Sequence, residues 1–401
     1  MYRTLHLLLA AAALATAAPA PAKEGDTVNF SVGTTLTYDD NLLRLPDGVS
    51  PRVVGVATDS RSAFVTTLYG QAVVDVPVSR QRFLAEVTLL NNRYSGAYDY
   101  LDWTGINGSA RWLYQFGNAW KGDLGYRRGT DLAGFADNRN FDRRNVRTTD
   151  EFHVNADYWL VRNLRLSGGA NYTRFRNSDS AFETLDLDRT WVEGGIKYES
   201  SQANFVRVTG RYTYGSYPER PAPTLVSDTS FDQYELAGDV NWVLSPATRL
   251  YGRAGYTRRE FPNLAGREFS GPTGRVSLDW APTVKTGITF LGRREIGAIE
   301  DITATYVVTS AASVSPYWLV SPKVRLDANL EYQRRDYAGD AVFAGIPAID
   351  DRIRYAGLGL RWAPTYNWLL AAGYRYSTRS SNFPTRQFDD NTMYGTVQFN
   401  F

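Results

Sequence analysis

Residues 393–401 read MYGTVQFNF and end on an aromatic residue. Going back from the end, every second position is apolar or glycine: Phe401, Phe399, Val397, Gly395 and Met393. A period of two is typical of a β-strand with one apolar face, and a ring at the strand end suits the interface between membrane and water. The segment therefore predicts the closing strand of a transmembrane β-barrel.

The start of the chain has the three parts of a secretory signal peptide. Arg3 gives a basic start, residues 5–15 are apolar but too few to span a bilayer, and small residues at 20–22 form a cleavage site. We expect residues 1–22 to be removed, which leaves residues 23–401 as a single barrel domain. The ending resembles the signal that the barrel assembly machinery of the outer membrane recognises, with Phe401 and Phe399 as its residues.

Composition agrees with an exported barrel. Aromatic residues make up 14% of the chain, yet the mean hydropathy is −0.36. After the signal peptide no stretch approaches the 18 apolar residues of a membrane helix, whereas a barrel strand shows the lipid only alternate side chains. The 44 basic and 42 acidic residues nearly balance, which argues against a nucleic-acid partner. No cysteine is present, so disulfides and thiol chemistry are excluded.

A repeat runs through the mature chain, in which an aromatic residue, a short turn and an alternating strand follow one another. Its members are residues 76–83, 112–120, 159–172, 198–205, 242–256, 280–290, 318–332 and 362–374. Longer polar stretches lie between them, at residues 39–59, 133–147, 177–186, 217–229, 262–268, 339–350 and 380–389. Short turns on one side and long loops on the other predict an all-β, antiparallel outer-membrane barrel with short periplasmic turns and longer extracellular loops. Eight turns plus a first strand at 28–38 and the last strand give about 18 strands, with 16 as the nearest alternative.

Period-two alternation also assigns side chains to the two faces of each strand. In residues 324–332, Leu326 and Leu330 face lipid, so Arg325, Asp327 and Glu331 face the lumen. The candidate path for a solute through the lumen is Arg127, Arg207, Arg211, Arg253, Arg325, Arg375 and Arg379. Two interpretations stay open. Inward arginines brace the wall by pairing with acids while outward ones bind lipopolysaccharide phosphates, or the inward set forms an electropositive track for an anionic chain.

Enzymatic and metal sites find little support. His153 is the sole histidine after the signal peptide, and no nucleophile motif accompanies it. The acidic pairs Asp39-Asp40 and Asp350-Asp351 have no calcium-loop spacing. No phosphate-binding or dinucleotide motif occurs, so we expect no catalytic residues, no cofactor and no metal.

Residues 38–48, YDDNLLRLPDG, follow the first predicted strand. With the signal peptide, the overall length and the terminal FNF, this segment resembles the EpsL family of outer-membrane proteins, which are encoded in bacterial exopolysaccharide biosynthesis operons and belong to the β-barrel porins. The resemblance implies a role at the outer-membrane step of polysaccharide export, with a polysaccharide substrate and periplasmic export partners. It brings no catalytic residues.

Three leucines in this segment stand out in what should be an extracellular loop. Exposing Leu42, Leu43 and Leu45 to water is unfavourable, so we expect the loop to fold over or into the barrel mouth. Either it packs on its neighbours or it forms a constriction that sets the pore size.

The sequence therefore favours a conduit for a secreted exopolysaccharide in the outer membrane of a Gram-negative bacterium, in contact with membrane lipid and lipopolysaccharide. A general diffusion porin for small solutes is the close alternative, and a lipid- or sugar-modifying enzyme is a third. A saccharide conduit should carry inward aromatics and arginines along its length, whereas a diffusion porin needs an inserted loop with opposed charges.

Overall fold

A computed structural model describes residues 27–401 apart from 138–140, 201–203, 224–227, 298–305 and 339–347. The predicted signal peptide lies outside the described residues. The described part forms one antiparallel sheet of 18 strands. The strands are β1 Val28–Asp39, β2 Ala63–Val78, β3 Gln81–Tyr94, β4 Trp103–Phe116, β5 Trp120–Leu132, β6 Val146–Val161, β7 Leu164–Asn177, β8 Leu187–Glu199, β9 Phe205–Ser216, β10 Ser230–Ser245, β11 Thr248–Glu260, β12 Phe269–Trp280, β13 Thr286–Gly297, β14 Tyr306–Ser321, β15 Val324–Ala338, β16 Asp350–Trp362, β17 Trp368–Ser381 and β18 Phe388–Asn400.

The sheet closes on itself, which removes both unpaired edges. Each strand pairs with its neighbours in sequence, and β1 pairs with β18 to complete the ring. At this seam Thr35 lies opposite Thr396, and their hydroxyl groups are 2.8 Å apart. The prediction of a closed barrel with 18 strands is confirmed, and the alternative of 16 is wrong.

Connections differ in length at the two ends of the barrel. At one end the turns are short, with only residues 246–247 between β10 and β11. At the other end lie loops L1 (residues 40–62), L2 (95–102), L3 (133–145), L4 (178–186), L5 (217–229), L6 (261–268) and L9 (382–387), with short 3₁₀ helices at Pro51–Val54, Gly96–Leu101, Ser180–Leu185 and Pro384–Arg386. By the rule for outer-membrane barrels, the short turns are periplasmic and the long loops are extracellular.

The two faces of the sheet differ as the alternation predicts. On β1, Phe30 and Leu36 are exposed on the outside, whereas Ser31 and Thr35 are buried inside. At the periplasmic end of the outer face the rings of Trp368 and Phe399 stack edge to face at 5.0 Å, an aromatic contact of the kind found at membrane interfaces. In the part of the chain that the structure describes, no helix is long and apolar enough to cross a membrane.

Candidate functional site

The lumen wall across β8–β11 carries a compact cluster of ion pairs. Glu193 lies at its centre, with side-chain oxygens 2.6 Å from Arg211, 3.2 Å from Arg207 and 3.5 Å from Arg253. Glu235 and Asp239 complete the cluster, at 2.7 and 3.1 Å from Arg253. Antiparallel register puts these inward positions side by side, with Glu193 opposite Arg211 and Arg211 opposite Glu235. Three guanidinium groups therefore face three carboxylates, and their charges largely cancel at this height of the wall.

Smaller groups of charges continue around the wall. Arg275 lies 3.0 Å from Glu295. Arg293 lies 2.7 Å from Glu331. Nearer the periplasm, Asp327 is shared by two guanidinium groups, at 2.7 Å from Arg325 and 2.8 Å from Arg361. Each carboxylate accepts charge-assisted hydrogen bonds that hold the long arginine side chains along the wall.

Loop L3 crosses the mouth of the barrel. It connects β5 and β6, yet its Asp137 binds Arg379 at 2.5 Å and Arg335 at 2.8 Å. Those two arginines project inward from β17 and β15, and eight strands separate β6 from β15 in one direction around the ring. Asp137 is five residues beyond the end of β5, a reach of at most about 17 Å for an extended chain. The loop therefore extends from one wall of the barrel and is anchored to side chains of the far wall.

The ion pairs of Asp137 that anchor L3 are almost completely buried. The Arg379 side chain is fully buried, and that of Asp137 is 10% exposed. Arg386 of L9 joins the group, at 2.9 Å from Asp351 and 3.6 Å from Asp137. Burial disfavours the charged form of Asp137, but the charges and hydrogen bonds of Arg379 and Arg335 outweigh it and hold the pKa of Asp137 well below its usual range. The carboxylate is therefore ionised at neutral pH, with opposed charges around it.

Loop L1 packs against L2 and L3. Leu43 and Leu45 are each 1% exposed and belong to an apolar cluster with Tyr98 and Leu101 of L2 and Phe135 of L3. Their burial removes apolar surface from water and fixes the three loops to one another. Leu42 is partly buried against the same cluster. The expected infolding of the loop is thus visible as packing on neighbouring loops, while a role of the three leucines in setting the pore size stays a prediction.

Arg44, whose side chain is 15% exposed, fixes the base of L1. Arg44 lies 2.8 Å from Asp39 and 2.9 Å from Asp390, which face inward on β1 and β18. The backbone of Arg44 has a left-handed φ of 54°, which is unfavourable for a residue other than glycine. The two ion pairs stabilise this conformation. Burial lowers the pKa of Arg44, but the charge of Asp39, its hydrogen bond and the charge of Asp390 more than reverse this and raise the pKa above its usual value.

All seven arginines of the sequence-predicted path occupy inward positions. Arg207, Arg211 and Arg253 come together in the cluster around Glu193, whereas Arg325 and Arg379 lie in separate ion pairs. Arg375 contacts the Thr392 hydroxyl at 3.4 Å, and Arg127 lies opposite Glu151. Their use as a solute path stays a prediction, as does the role of Phe399 and Phe401 in barrel assembly.

Sequence reasoning missed the residues that anchor L3. The sequence pattern assigns Asp137 to a long polar loop, and the candidate solute path includes neither Arg335 nor Arg386. One signal was present, because Arg335 falls among the arginines that recur near the outer ends of up-going strands. The sequence pattern also predicts no separate loop at residues 95–102, although Tyr98, Tyr100 and Leu101 of this loop belong to the apolar cluster that L1 packs in.

The sole histidine of the mature chain and the acidic group beside Arg44 both have ordinary partners. His153 Nε2 lies 2.8 Å from Asp123, which also binds Arg111 at 2.9 Å. Asp39, Asp40 and Asp390 form a group with metal-ligand spacing among the described residues, but Arg44 already neutralises two of them. Neither arrangement resembles a nucleophile with its base.

Comparison with known proteins places this chain among outer-membrane barrels. Residues 217–401 match the family described as "Putative beta-barrel porin 2". The chain is 22% identical over 387 residues to the outer membrane protein MtrB of Shewanella baltica (strain OS185). That match covers 91% of this chain and 48% of MtrB, so the chain spans about half the length of that relative.

Solved structures give the same fold at low identity. OpdK from Pseudomonas aeruginosa aligns with a TM-score of 0.53 at 9% identity, over 93% of this chain and 99% of OpdK. A BenF-like porin from Pseudomonas fluorescens Pf-5 aligns with a TM-score of 0.52 at 9% identity, over 94% of this chain and 98% of that porin. The protein is therefore a closed β-barrel of the outer membrane of a Gram-negative bacterium, and the proteins that it is similar to are described as outer membrane proteins and porins.

Proposed function

We propose that this barrel is a diffusion channel for small solutes. The observation that carries the proposal is loop L3, which crosses the mouth and is anchored by Asp137 to Arg335 and Arg379 on the far wall. An inserted loop with opposed charges is the arrangement that a diffusion porin needs, because it limits the size of the opening and places a field across it.

The inner aromatic rings support the same proposal. A conduit for a polysaccharide needs open ring faces on which sugars stack. Here side-chain cations cover several of them: Arg165 lies 3.5 Å above Trp159, Arg211 lies 4.2 Å above Trp191 and Arg325 lies 4.4 Å above Tyr317. These contacts are cation–π pairs within the wall, so the rings are already occupied.

Two of the solved relatives are described with small organic ligands. OpdK has been crystallised with vanillate. OpdF from Pseudomonas aeruginosa has been crystallised in complex with glucuronate and aligns with this chain with a TM-score of 0.51 at 10% identity. These ligands belong to those proteins, and they support a small solute as the cargo of this one. Export of an exopolysaccharide, which the resemblance to the EpsL family implies, is the competing function.

Liposome swelling with sugars of graded size separates the two functions. A diffusion channel should admit monosaccharides quickly, disaccharides more slowly and long oligosaccharides not at all. Entry of long polymers at rates like those of monosaccharides would favour export, and absence of swelling with any solute would contradict the diffusion channel. Liposomes with the heat-denatured protein give the background rate.

A further inference from the structure

The charged residues of the periplasmic turns are all basic. The structure describes these turns except for residues 201–203, which carry no charge in the sequence. The charged residues of the turns are Arg80, Arg162, Lys285 and Lys323, and all four are exposed. The extracellular side differs, since L1 alone contains three aspartates among its charged residues. Two of the basic turns, T6 (residues 281–285) and T7 (residues 322–323), follow each other around the rim.

The lysines of T6 and T7 both lie beside outward tryptophans. The Lys285 carbonyl accepts a hydrogen bond at 2.7 Å from the backbone N–H of the residue that follows Trp318. The Lys323 carbonyl accepts one at 2.8 Å from the residue that follows Trp362, so the arrangement is repeated. Trp318 on β14 and Trp362 on β16 are 50% and 46% exposed on the outer face. Each unit therefore places a lysine next to a ring that faces the membrane.

The acids of the neighbouring wall do not neutralise these lysines. Asp279 on β12 and Asp327 on β15 are the carboxylates at this end of the adjoining strands, and both face the lumen. Asp279 accepts a hydrogen bond from the Thr289 hydroxyl at 2.7 Å, and Asp327 is held by two arginines. The Lys323 ammonium has three donors and gives one, at 2.6 Å, to a neutral backbone carbonyl of the next turn. Its charge is therefore available to an anion from outside the barrel.

The outer wall next to the two tryptophans is apolar and open. Phe290 on β13 and Val314 on β14 lie opposite each other, Leu326 on β15 lies opposite Trp318, and all three apolar side chains are exposed on the outside. Val284 of T6 is 91% exposed at the rim. Acyl chains of a bilayer cover such a surface, and tryptophan rings favour the level of the lipid headgroups. The patch thus has charge at the rim, rings at the interface and apolar surface beyond them.

We propose that Lys285 and Lys323, together with Trp318 and Trp362, form a binding site for an anionic phospholipid of the periplasmic leaflet. The ammonium groups bind the lipid phosphate by charge-assisted hydrogen bonds, and the rings lie at the headgroup level. The acyl chains lie along the outer faces of β13–β15. An acidic protein or a free anion would use the charges alone and would leave the rings and the apolar wall without a role. The site lies outside the lumen and does not depend on the proposed function.

Native mass spectrometry of the full folded protein in detergent tests the site. The probes are phosphatidylglycerol, which is anionic, and phosphatidylethanolamine with the same acyl chains, which has no net charge. The wild type should bind phosphatidylglycerol more tightly. The double variant K285Q/K323Q should bind it about thirtyfold more weakly, because each lysine near an anionic headgroup contributes about fivefold. Equal binding of the two lipids by the wild type, or unchanged binding of phosphatidylglycerol in the double variant, would overturn the site.

R80Q is the matched control for the position of the site. Arg80 is an exposed cation of another periplasmic turn, and its guanidinium donates to the Gly117 carbonyl at 2.8 Å. A general attraction between the rim and anionic lipid would be weakened equally in R80Q and K285Q, whereas a local site predicts the loss in K285Q alone. W318S should also weaken binding, because the ring is lost while both lysines remain. Equal losses in R80Q and K285Q, or unchanged binding in W318S, would overturn the assignment to these residues.

Two soluble competitors separate a lipid from other anions. Glycerol 3-phosphate has the phosphate without acyl chains, and polyglutamate represents an acidic protein surface. Neither should displace phosphatidylglycerol at equal concentration. Displacement by glycerol 3-phosphate would identify a site for free anions, and displacement by polyglutamate would identify a site for an acidic partner. Either result would overturn the assignment to a phospholipid, and heat-modifiable migration on a gel reports that each variant is folded.

Discussion

Asp137 Oδ1 lies 2.5 Å from Arg379 Nη2, although 242 residues separate the two in sequence. The pair joins loop L3 to the opposite wall of the barrel and is shared with Arg335 and Arg386. Breaking a buried ion pair typically costs about 3–5 kcal/mol, because the remaining charges lose their partner. The contact of L3 with this wall therefore depends on one carboxylate, whereas Phe135 of the same loop is held by the apolar cluster with L1 and L2.

D137N should release L3 and widen the opening. Asparagine keeps the shape of the side chain but removes the charge that holds three guanidinium groups. We expect a single-channel conductance larger by about twofold and faster swelling with disaccharides. D142N is the matched control, because Asp142 is an exposed carboxylate of the same loop outside the anchor. Equal conductance in D137N and the wild type would show that L3 does not limit the pore.

The ion pairs of Asp137 should also persist in mild acid. The pKa of Asp137 is held well below its usual range, so the stabilisation is fully present above the ordinary carboxyl pKa and is lost only as the pH falls through the lowered value. Conductance should stay constant from neutral pH to about pH 4 and rise only in stronger acid. The acid-induced rise should be absent in D137N. A rise in the conductance of the wild type that begins at pH 6 would contradict the lowered pKa of Asp137.

L45A should loosen the extracellular loops without opening the barrel. Leu45 is 1% exposed, and removing a buried leucine side chain costs about 2–5 kcal/mol. The cost falls on the packing of L1, L2 and L3, since the strands are held by their own hydrogen bonds. Limited proteolysis of intact proteoliposomes should cut the loops faster in L45A than in V53A, where Val53 is 78% exposed. Loss of heat-modifiable migration in L45A would contradict the separation of loops from barrel.

E193Q should shift ion selectivity toward anions. Glu193 is the carboxylate that touches Arg207, Arg211 and Arg253 together, so its neutralisation leaves a positive surplus on that wall. Reversal potentials under a salt gradient should change the ratio of anion to cation permeability by about twofold or more. E260Q is the control, because Glu260 lies at the extracellular end of β11 and pairs with the outward Arg258. A shift of selectivity toward cations would show that Glu193 does not neutralise these arginines.

F401S should slow barrel assembly. Phe401 is exposed at the periplasmic end, where its ring meets that of Phe399 at 5.0 Å. We expect less of the folded, heat-modifiable form in membranes, because the predicted recognition signal ends on this ring. Y366S is the matched control, since Tyr366 is an aromatic residue 80% exposed in a periplasmic turn. Equal amounts of folded F401S and wild type would remove the proposed role.

The strands and their faces were predictable because they follow from local pattern. Alternation in residues 324–332 placed Arg325, Asp327 and Glu331 inside, and the structure has them there. The ion pairs across strands were not predictable, because Glu193 meets Arg253 only through the register of three successive strand pairings. The role of Asp137 was even less predictable, since its partners come from strands on the far side of the ring. Loop contacts of that kind carry no period in the sequence.

The seam between β1 and β18 also constrains how this protein reaches its native state. Thr35 of β1 meets Thr396 of β18 across 361 residues, and β18 is the last strand of the sheet in sequence order. The sheet has two open edges until that strand is present, and each open edge is a template for pairing with other chains. The ring therefore cannot close before β18 has joined the sheet, and until then both edges are open to aggregation.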